Sequence, residues 1–466
     1  MTLADVAAAI DGALELTTGY SPQTVIDGRG ETDSRLVGPG SIFFAMRGAE
    51  TDGHLFAAGA VENGAALLIV ERLLDLPVTQ IVVNDTALAL AALAREVVAR
   101  VRARGAFSVI GITGSNGKTT TKNLLRTVLG AVGPTVAPEG SFNNYVGAPL
   151  SMLRVDENTR YLVVEMGASG VGEIEKLVRI AVPDIAVVLK VGLAHAGGFG
   201  GIDATQRAKA EIVTSLPASA VAVLNADDDR VAAMADQTAA GVRWFGLDAG
   251  ADVRADDIEA TVTGTSFTLL ADGRSWPVRM RILGEHHVMN ALAALTVARE
   301  LGLDLTEAIT AIESVSRAER WRMEVLEPAE GITVINDAYN ASPDSTAAAL
   351  KTLAQLTRGG GRRSIAVLGE MAELGPYADE EHDRIGRLAV RLNVSQLVVV
   401  GHGARHIHNA AGLEGSWDGE SVLVDTADEA YDLLRDELRA GDVVLVKSSK
   451  SAGLRFLGDR LGGIAS

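Results

Sequence analysis

The stretch FSVIGITGSNGKTTTKNLL, residues 107–125, constrains this chain more than any other. An apolar strand at Phe107 to Gly111 runs through a glycine-rich turn into a helical pattern at Lys118 to Gly130. Glycines at 111, 114 and 117 let backbone N–H groups converge on phosphate oxygens at a helix N-terminus. Lys118 can neutralise terminal phosphates, and the Thr119 hydroxyl can ligate Mg²⁺. The spacing G-x-x-x-x-G-K-[ST] would put its first glycine at 112, which is Ile112, so the loop is a variant of that motif. A plain strand-to-helix turn is the bland alternative. No N/TKxD-type guanine-reading segment is present, which favours ATP over GTP.

Composition sets the context for that loop. At 466 residues the chain is about three times a typical domain of roughly 150. Lys and Arg number 42 against 60 Asp and Glu, a net charge of −18 that repels nucleic-acid backbones and anionic membranes. With no cysteine, disulfides, thiolate catalysis and Cys-ligated zinc are excluded. The N-terminus lacks a basic region and carries Asp5 and Asp11 in its apolar stretch, unlike a secretory signal. Apolar runs such as Thr86 to Ala94 are too short to span a membrane, so a cytoplasmic protein is expected.

Residues 1–105 read as a small α/β unit, with strands at Ser41 to Met46, Ala65 to Val70 and Ile81 to Val83 and a long helix from Thr86 to Arg104. Residues 106–315 alternate strands (Tyr161 to Glu165, Ile185 to Lys190, Ala220 to Leu224) with helices (Val171 to Ile180, Ala204 to Leu216), the pattern of a parallel sheet. Residues 252–283 alternate as an antiparallel addition turning at Asp272-Gly273, and two helices follow. Residues 316–466 form a second βα series, with strands at Ile332 to Asn336, Ser364 to Leu368, Gln396 to Val400, Ser421 to Val424 and Asp442 to Val446. The fold class is α/β in three domains: a small N-terminal domain, a central P-loop parallel-sheet domain and a C-terminal Rossmann-like domain.

The loop Gly111 to Thr120 reads G-x-x-G-[ST]-N-G-K-[ST]-[ST], which resembles the ATP-dependent muramyl ligases and their folylpolyglutamate synthetase relatives. The resemblance runs end to end. It implies an amide ligase that phosphorylates a carboxylate with ATP and lets an amine displace the phosphate. Within the family it points to the activity that joins D-alanyl-D-alanine to UDP-N-acetylmuramoyl-tripeptide. The sister activity, addition of the third amino acid, goes with a D-[ND]-P-R segment that this chain lacks. A P-loop NTPase with no amide product is the rival of another class. A monomer is expected.

The resemblance assigns Gly111, Thr113, Gly114, Ser115, Asn116, Gly117, Lys118, Thr119 and Thr120 to ATP. Glu165, before Met166, Gly167 and Ala168, and His195, before a Gly-Phe-Gly loop, match its metal ligands. A carboxylate at a strand's carboxyl edge also suits Mg²⁺ on its own chemistry. Lys209 matches the lysine the family carbamylates; an ordinary surface lysine between Arg207 and Glu211 is the alternative. Asn143 and Asn144 match paired asparagines near the reacting phosphate. Asn290 in GEHHVMNALAA matches an adenine contact, with His287 where Asn is common. Arg322 matches an arginine reaching the phosphates from the last domain, with a hinge near Glu313 to Arg322. In INDAYNASPDS, Asp337 is expected near the ribose, and Tyr339 and Asn340 near the dipeptide, while Asn336 and Ser342 depart from the family pattern. Lys447 and Ser449 match a K-G-S-[KR] segment, from which Ser448 departs. At the UDP-sugar end the D-S-R and R-G-x-x-x-D-G-H segments nominate Asp33, Ser34, Arg35, Arg47, Asp52 and His54.

Overall fold

The computed structural model describes residues 1–48, 51–138, 140–194, 196–316, 319–328, 331–359, 361–415 and 417–464. The chain divides into two compact units, one of residues 1–111, 132–168 and 172–185, the other of residues 112–131, 169–171 and 186–466.

The first unit holds a five-stranded sheet in the order Ala13–Glu15, Thr79–Val82, Leu67–Val70, Ile42–Phe44, Gly30–Glu31, antiparallel only at the first pair. Strand residues alternate between two cores, as the period of two requires. Phe44, Leu67, Ile69 and Ile81 pack with helices Leu3–Ala9 and Thr86–Arg102, whereas Phe43, Leu68 and Val70 pack with Ala57 and Ala60. The apolar runs are continuous because both faces are covered. Strand Tyr161–Glu165 pairs in parallel with Thr135–Val136.

In the second unit, parallel strands Val221–Asn225 and Gly241–Gly246 lead into Val253–Thr261, which begins two antiparallel hairpins with Gly264–Ala271 and Arg274–Met280. The Asp272-Gly273 turn has φ of 50° and 69° at its two residues, the positive pair that suits a tight hairpin with right-handed strand twist. Helices His286–Glu300 and Leu305–Ser314 follow, the first buried nearly all round. Strand Gly241–Gly246 escaped the sequence reading because Arg243 interrupts its short apolar pattern.

The last part of this unit is a six-stranded sheet in the order Glu324–Leu326, Thr333–Asn336, Val443–Lys447, Ser364–Leu368, Gln396–Val400, Glu420–Val424, parallel except at the first pair. Ile335, Ala366 and Leu445 face one core with helices Pro343–Thr357 and Ala378–Arg391; Val334, Val367 and Val446 face the other with Ala427–Glu437 and Leu454–Leu461. Strand Val443–Lys447 enters between Thr333–Asn336 and Ser364–Leu368. That crossing out of chain order leaves a crevice at the strands' carboxyl ends, where segments beginning at Asp337, Gly369 and Ser448 emerge.

Candidate active site

Strand Ser108–Thr113 ends at the loop, and helix Lys118–Gly130 starts after it. Gly114 has φ +150° and Gly117 φ +87°, values that L side chains resist. A Cβ at 117 would also collide with Asn290 Oδ1. The loop is braced by the chain after Ile185–Val188: Leu189 N donates to Thr113 O (3.0 Å) and Ser115 N to Lys190 O (2.8 Å). Gly192 N donates to Ser115 Oγ at 2.9 Å. Lys118 Nζ donates to Gly114 O at 2.6 Å, curled over the loop where terminal phosphates would lie.

Asn290 is buried against this loop. Its Oδ1 accepts from Thr121 Oγ1 (3.3 Å), and its Nδ2 lies 3.1 Å from His287 Nδ1. With Nδ1 accepting, His287 carries its proton on Nε2. That atom is buried with no partner among the described residues, as are Asn116 Nδ2 and Arg322 Nε. Three donors without acceptors near a glycine loop suit a ligand rich in acceptor oxygens and nitrogens, such as a nucleotide.

The sheet after residue 316 reaches the same loop. Ser342, N-cap of helix Pro343–Thr357, donates from Oγ to Asn116 Oδ1 at 3.0 Å. Asp344 pairs with Lys190 at 3.6 Å and packs against Gly192. Sequence reasoning missed Asp344, Lys190 and Gly192; the signal was a carboxylate at the start of a helix and a lysine ending a strand. Arg322 lies over the Tyr339 ring, 4.5 Å from its centroid. Flanking residues Trp321 and Met323 have φ of 58° and 48°, a strained turn next to the expected hinge. Residues 317 and 318 of that hinge lie outside the described residues.

Asp337 holds this turn together. It accepts from Met323 N at 3.1 Å and from Lys447 Nζ at 2.6 Å. Lys447 is 2 % exposed and also donates to Asn340 O at 3.1 Å. Burial lowers the Lys447 pKa, against the opposing pull of Asp337. Both groups expected at the substrates are thus engaged with each other.

In the first unit, Glu165 ends its strand 1 % exposed and accepts from Asn143 Nδ2 at 2.9 Å. A side chain at Gly167 would press on Asn143, which explains the glycine. Asn144 instead closes the turn before helix Gly147–Met152, its Oδ1 accepting from Val146 N (3.2 Å) and Gly147 N (2.8 Å). His195 lies outside the described residues. Among those described, no group of three or more His, Cys, Asp or Glu is placed to hold a metal. In the second unit, Lys209 is 2 % exposed on helix Ile202–Thr214, which removes the surface-lysine alternative.

The UDP-end candidates form local networks. Asp33 caps a short helix and pairs with the exposed Arg35 at 2.6 Å; those hydrogen bonds hold its carboxyl down at about 2. Ser34 lies in that helix, its carbonyl accepting from Asn63 at 2.9 Å. Asp52 accepts from His54 N (3.0 Å) and lies 2.6 Å from His54 Nδ1, and His54 Nε2 accepts from Glu71 N at 2.8 Å. His54 is therefore a neutral imidazole protonated on Nδ1. Arg47 pairs with Glu71 at 3.0 Å while keeping 59% of its side chain exposed. Asp52 and His54 are engaged with each other, and Arg47 is only partly covered by its ion pair.

A glycine loop feeding a helix, with buried unpaired donors beside it, defines a nucleotide-binding protein of the P-loop class. Three family models cover most of the chain: Mur ligase family, catalytic domain (residues 31–110), Mur ligase middle domain (112–298) and Mur ligase, glutamate ligase domain (321–450). The chain is 44% identical, over 99% of its length and 97% of the relative's, to the UDP-N-acetylmuramoyl-tripeptide--D-alanyl-D-alanine ligase of Mycobacterium tuberculosis. It is 34% identical to the ligase of the same name from Escherichia coli, over 91% of each chain. The crystal structure of MurF from Acinetobacter baumannii superposes with a TM-score of 0.89 at 32% identity, covering 99% of this chain and 98% of that one. MurF from Thermotoga maritima in complex with ADP gives 0.81 at 29% identity, covering 94% and 98%. The chain belongs to the Mur ligase family.

Two outcomes follow from this geometry. Gly117→Ala should lower kcat/KM for ATP by about 100-fold or more, because the loop donors lose their aim. Gly59→Ala, where a Cβ meets open space, is the control expected to stay within twofold. The second concerns acid. Burial lowers the pKa of His286 from 6.5 to about 4 and that of its neighbour His287, whose ring is tilted 41° to it, in the same direction; Asp337 opposes the first shift, and Lys447 and Lys190 add to it. The folded protein keeps these rings neutral while the unfolded chain protonates near 6.5. Their contribution to stability is complete above that pH and falls as pH drops toward 4. His286→Gln should therefore flatten the pH dependence of the unfolding midpoint between pH 7 and 5.

Proposed function

We infer that this chain is an ATP-dependent amide ligase joining D-alanyl-D-alanine to UDP-N-acetylmuramoyl-tripeptide, the step that completes the pentapeptide precursor of peptidoglycan. The observation that carries this is 44% identity to a ligase of that name across nearly the whole of both chains. Residues 1–105 take the UDP end, 106–315 the ATP, and 316–466 the dipeptide, a division supported by the spans of the three family models. A monomer on the cytoplasmic side, where ATP is supplied, belongs to the same reading; no described helix is long and apolar enough to cross a membrane.

A carboxylate is a poor electrophile. Transfer of the γ-phosphoryl group to one carboxylate oxygen gives an acyl phosphate, and the neutral amine of the dipeptide then attacks its carbonyl carbon. The tetrahedral intermediate collapses, the C–O bond to phosphate breaks, and the amine's surplus proton leaves with phosphate or solvent. The loop N–H groups and Lys118 orient the phosphates and stabilise the transferring charge. Asn116 and Arg322 offer their unpaired donors to the nucleotide, and Asn290 with Thr121 holds the loop's left-handed turn.

Glu165 is a buried carboxylate steadied by the neutral amide of Asn143, and Thr119 presents a buried hydroxyl in the first turn of its helix. Each is a hard oxygen donor of the kind Mg²⁺ takes. The family resemblance assigns the ion to Glu165, Thr119, His195 and a carbamylated Lys209; when bound it would neutralise phosphate charge. Asn143 orients Glu165. Ser34, Arg35 and Arg47 meet the UDP end, with Asp52 and His54 setting that loop.

The test is phosphate release from ATP with UDP-N-acetylmuramoyl-tripeptide, with and without D-alanyl-D-alanine, the UDP product being followed by mass. Release that needs both and yields UDP-pentapeptide is expected. Release without the dipeptide, or product only from a single amino acid and the UDP-dipeptide, contradicts the reading.

A further inference from the structure

Two arginines flank Trp321 in the turn before strand Glu324–Leu326, and their surroundings differ. Arg320 is taken up by carboxylates: its Nη2 donates to Asp459 Oδ2 at 2.8 Å, and its Nε lies 3.4 Å from Glu324 Oε2. Among the described residues Arg322 forms no ion pair, and its Nε is buried without an acceptor. The Arg322 guanidinium sits 4.5 Å from the Tyr339 ring centroid, a contact that orients a cation without neutralising it. One arginine is spent on the protein, and the other keeps its charge for a ligand.

Asp459, on helix Leu454–Leu461, makes that division. It is 6 % exposed, and besides Arg320 it accepts from two other side chains. The Trp321 indole Nε1 lies 3.0 Å from both its carboxylate oxygens, and Asn336 Nδ2 donates to its Oδ1 at 3.1 Å. Gly458 permits the approach, because a Cβ there would collide with the Asn336 amide. The turn held in this way is the strained one, with φ of 58° at Trp321 and 48° at Met323. Such angles persist at bulky residues only where the surroundings hold them. Asp459 and Glu324, which accepts from Trp321 N at 3.0 Å, hold one flank of Arg322, and Asp337, accepting from Met323 N, holds the other.

The turn adjoins the nucleotide end of the site. Arg322 N donates to Glu319 O at 3.3 Å, and Glu319 Oε2 accepts at 3.0 Å from Nδ2 of Asn123, on the helix that opens at the phosphate loop. Burial first, then the neighbouring His286 and the charge of Arg322, lower the pKa of His287, which lies against Asn290 beside that loop. We propose that Asp459 is a positioning residue for the nucleotide: by holding the Arg320 guanidinium and the Trp321 indole it keeps the turn in the conformation that offers Arg322 to the ATP phosphates. The assignment rests on the nucleotide role inferred for Arg322 above and deepens it. Asp459 acts through the turn, so its effect passes through Arg322.

The experiment measures kcat and the KM values for ATP, UDP-N-acetylmuramoyl-tripeptide and D-alanyl-D-alanine in wild type, Asp459→Asn, Trp321→Phe, Arg322→Ala and the two double variants that combine Arg322→Ala with each of the others. Asp459→Asn removes the charge at nearly constant shape, and Trp321→Phe removes the indole donor while keeping a ring, so the role is read even if one of them fails to fold. Asp459→Asn is expected to lower kcat/KM for ATP by about 10-fold and Trp321→Phe by about threefold, with the KM values of the other two substrates within about twofold. In the Arg322→Ala background each should cost less than about twofold more, because residues that act through one group are not additive. Losses that multiply in the double variants overturn the positioning role, since a residue that only supports the fold would weaken the Arg322→Ala enzyme as well. A rise shared by all three KM values overturns it too. Unchanged ATP kinetics in Arg322→Ala overturns the nucleotide role of Arg322 and the inference with it, whereas a loss in Arg322→Ala with none in Asp459→Asn and Trp321→Phe overturns the role of Asp459 alone. Absence of any dipeptide ligation by wild type overturns the ligase reading on which both rest.

Discussion

The left-handed turn of the phosphate loop is the constraint on which the rest of the site depends. Gly114 and Gly117 take backbone angles that few other residues tolerate. The turn is braced from below by Leu189 to Gly192, from one side by Asn290 and Thr121, and from the far sheet by Ser342 on Asn116. All but Thr121 come from distant parts of the sequence. The loop can therefore present aimed donors before any phosphate arrives, which is what electrostatic preorganisation requires.

The same brace ties the loop to the last sheet. Lys190 pairs with Asp344, the second residue of a helix whose preceding segment carries Tyr339 and Asn340. Asp337, two residues before Tyr339, pins the strained Trp321 to Met323 turn and buries Lys447 with it. Arg322 sits between two positive-φ residues, so its reach over Tyr339 is a property of the turn. Such a joint can carry a domain movement while keeping the arginine's direction.

Much of this was legible in the chain itself. Helix Lys118–Gly130 and strand Tyr161–Glu165 fall where periodicity and their flanking glycines and charges put them, and the Asp272-Gly273 hairpin follows from turn chemistry alone. Motif matching nominated Asp337, Asn290 and His54 but said nothing of their partners. Asp337 binds Lys447, Asn290 holds Thr121 and His287, and His54 joins Asp52 to Glu71. The Asp337–Lys447 and Asn290–Thr121 pairs span 110 and 169 residues, a tertiary placement that spacing does not encode. Lys209 illustrates the same gap: exposed Arg207 beside it suggested a solvated face, yet the helix turns the lysine inward.

An acyl phosphate is the chemical core of the proposed reaction, and oxygen transfer reads it directly. UDP-N-acetylmuramoyl-tripeptide labelled with ¹⁸O in its reacting carboxylate would be turned over with ATP and D-alanyl-D-alanine, and the released phosphate weighed. One heavy oxygen in each phosphate is expected, because the carboxylate oxygen that attacked the γ-phosphorus departs with it. Unlabelled phosphate, or label in AMP, would mean that the carboxylate is activated in another way and would contradict a γ-phosphoryl transfer steered by Lys118 and the loop.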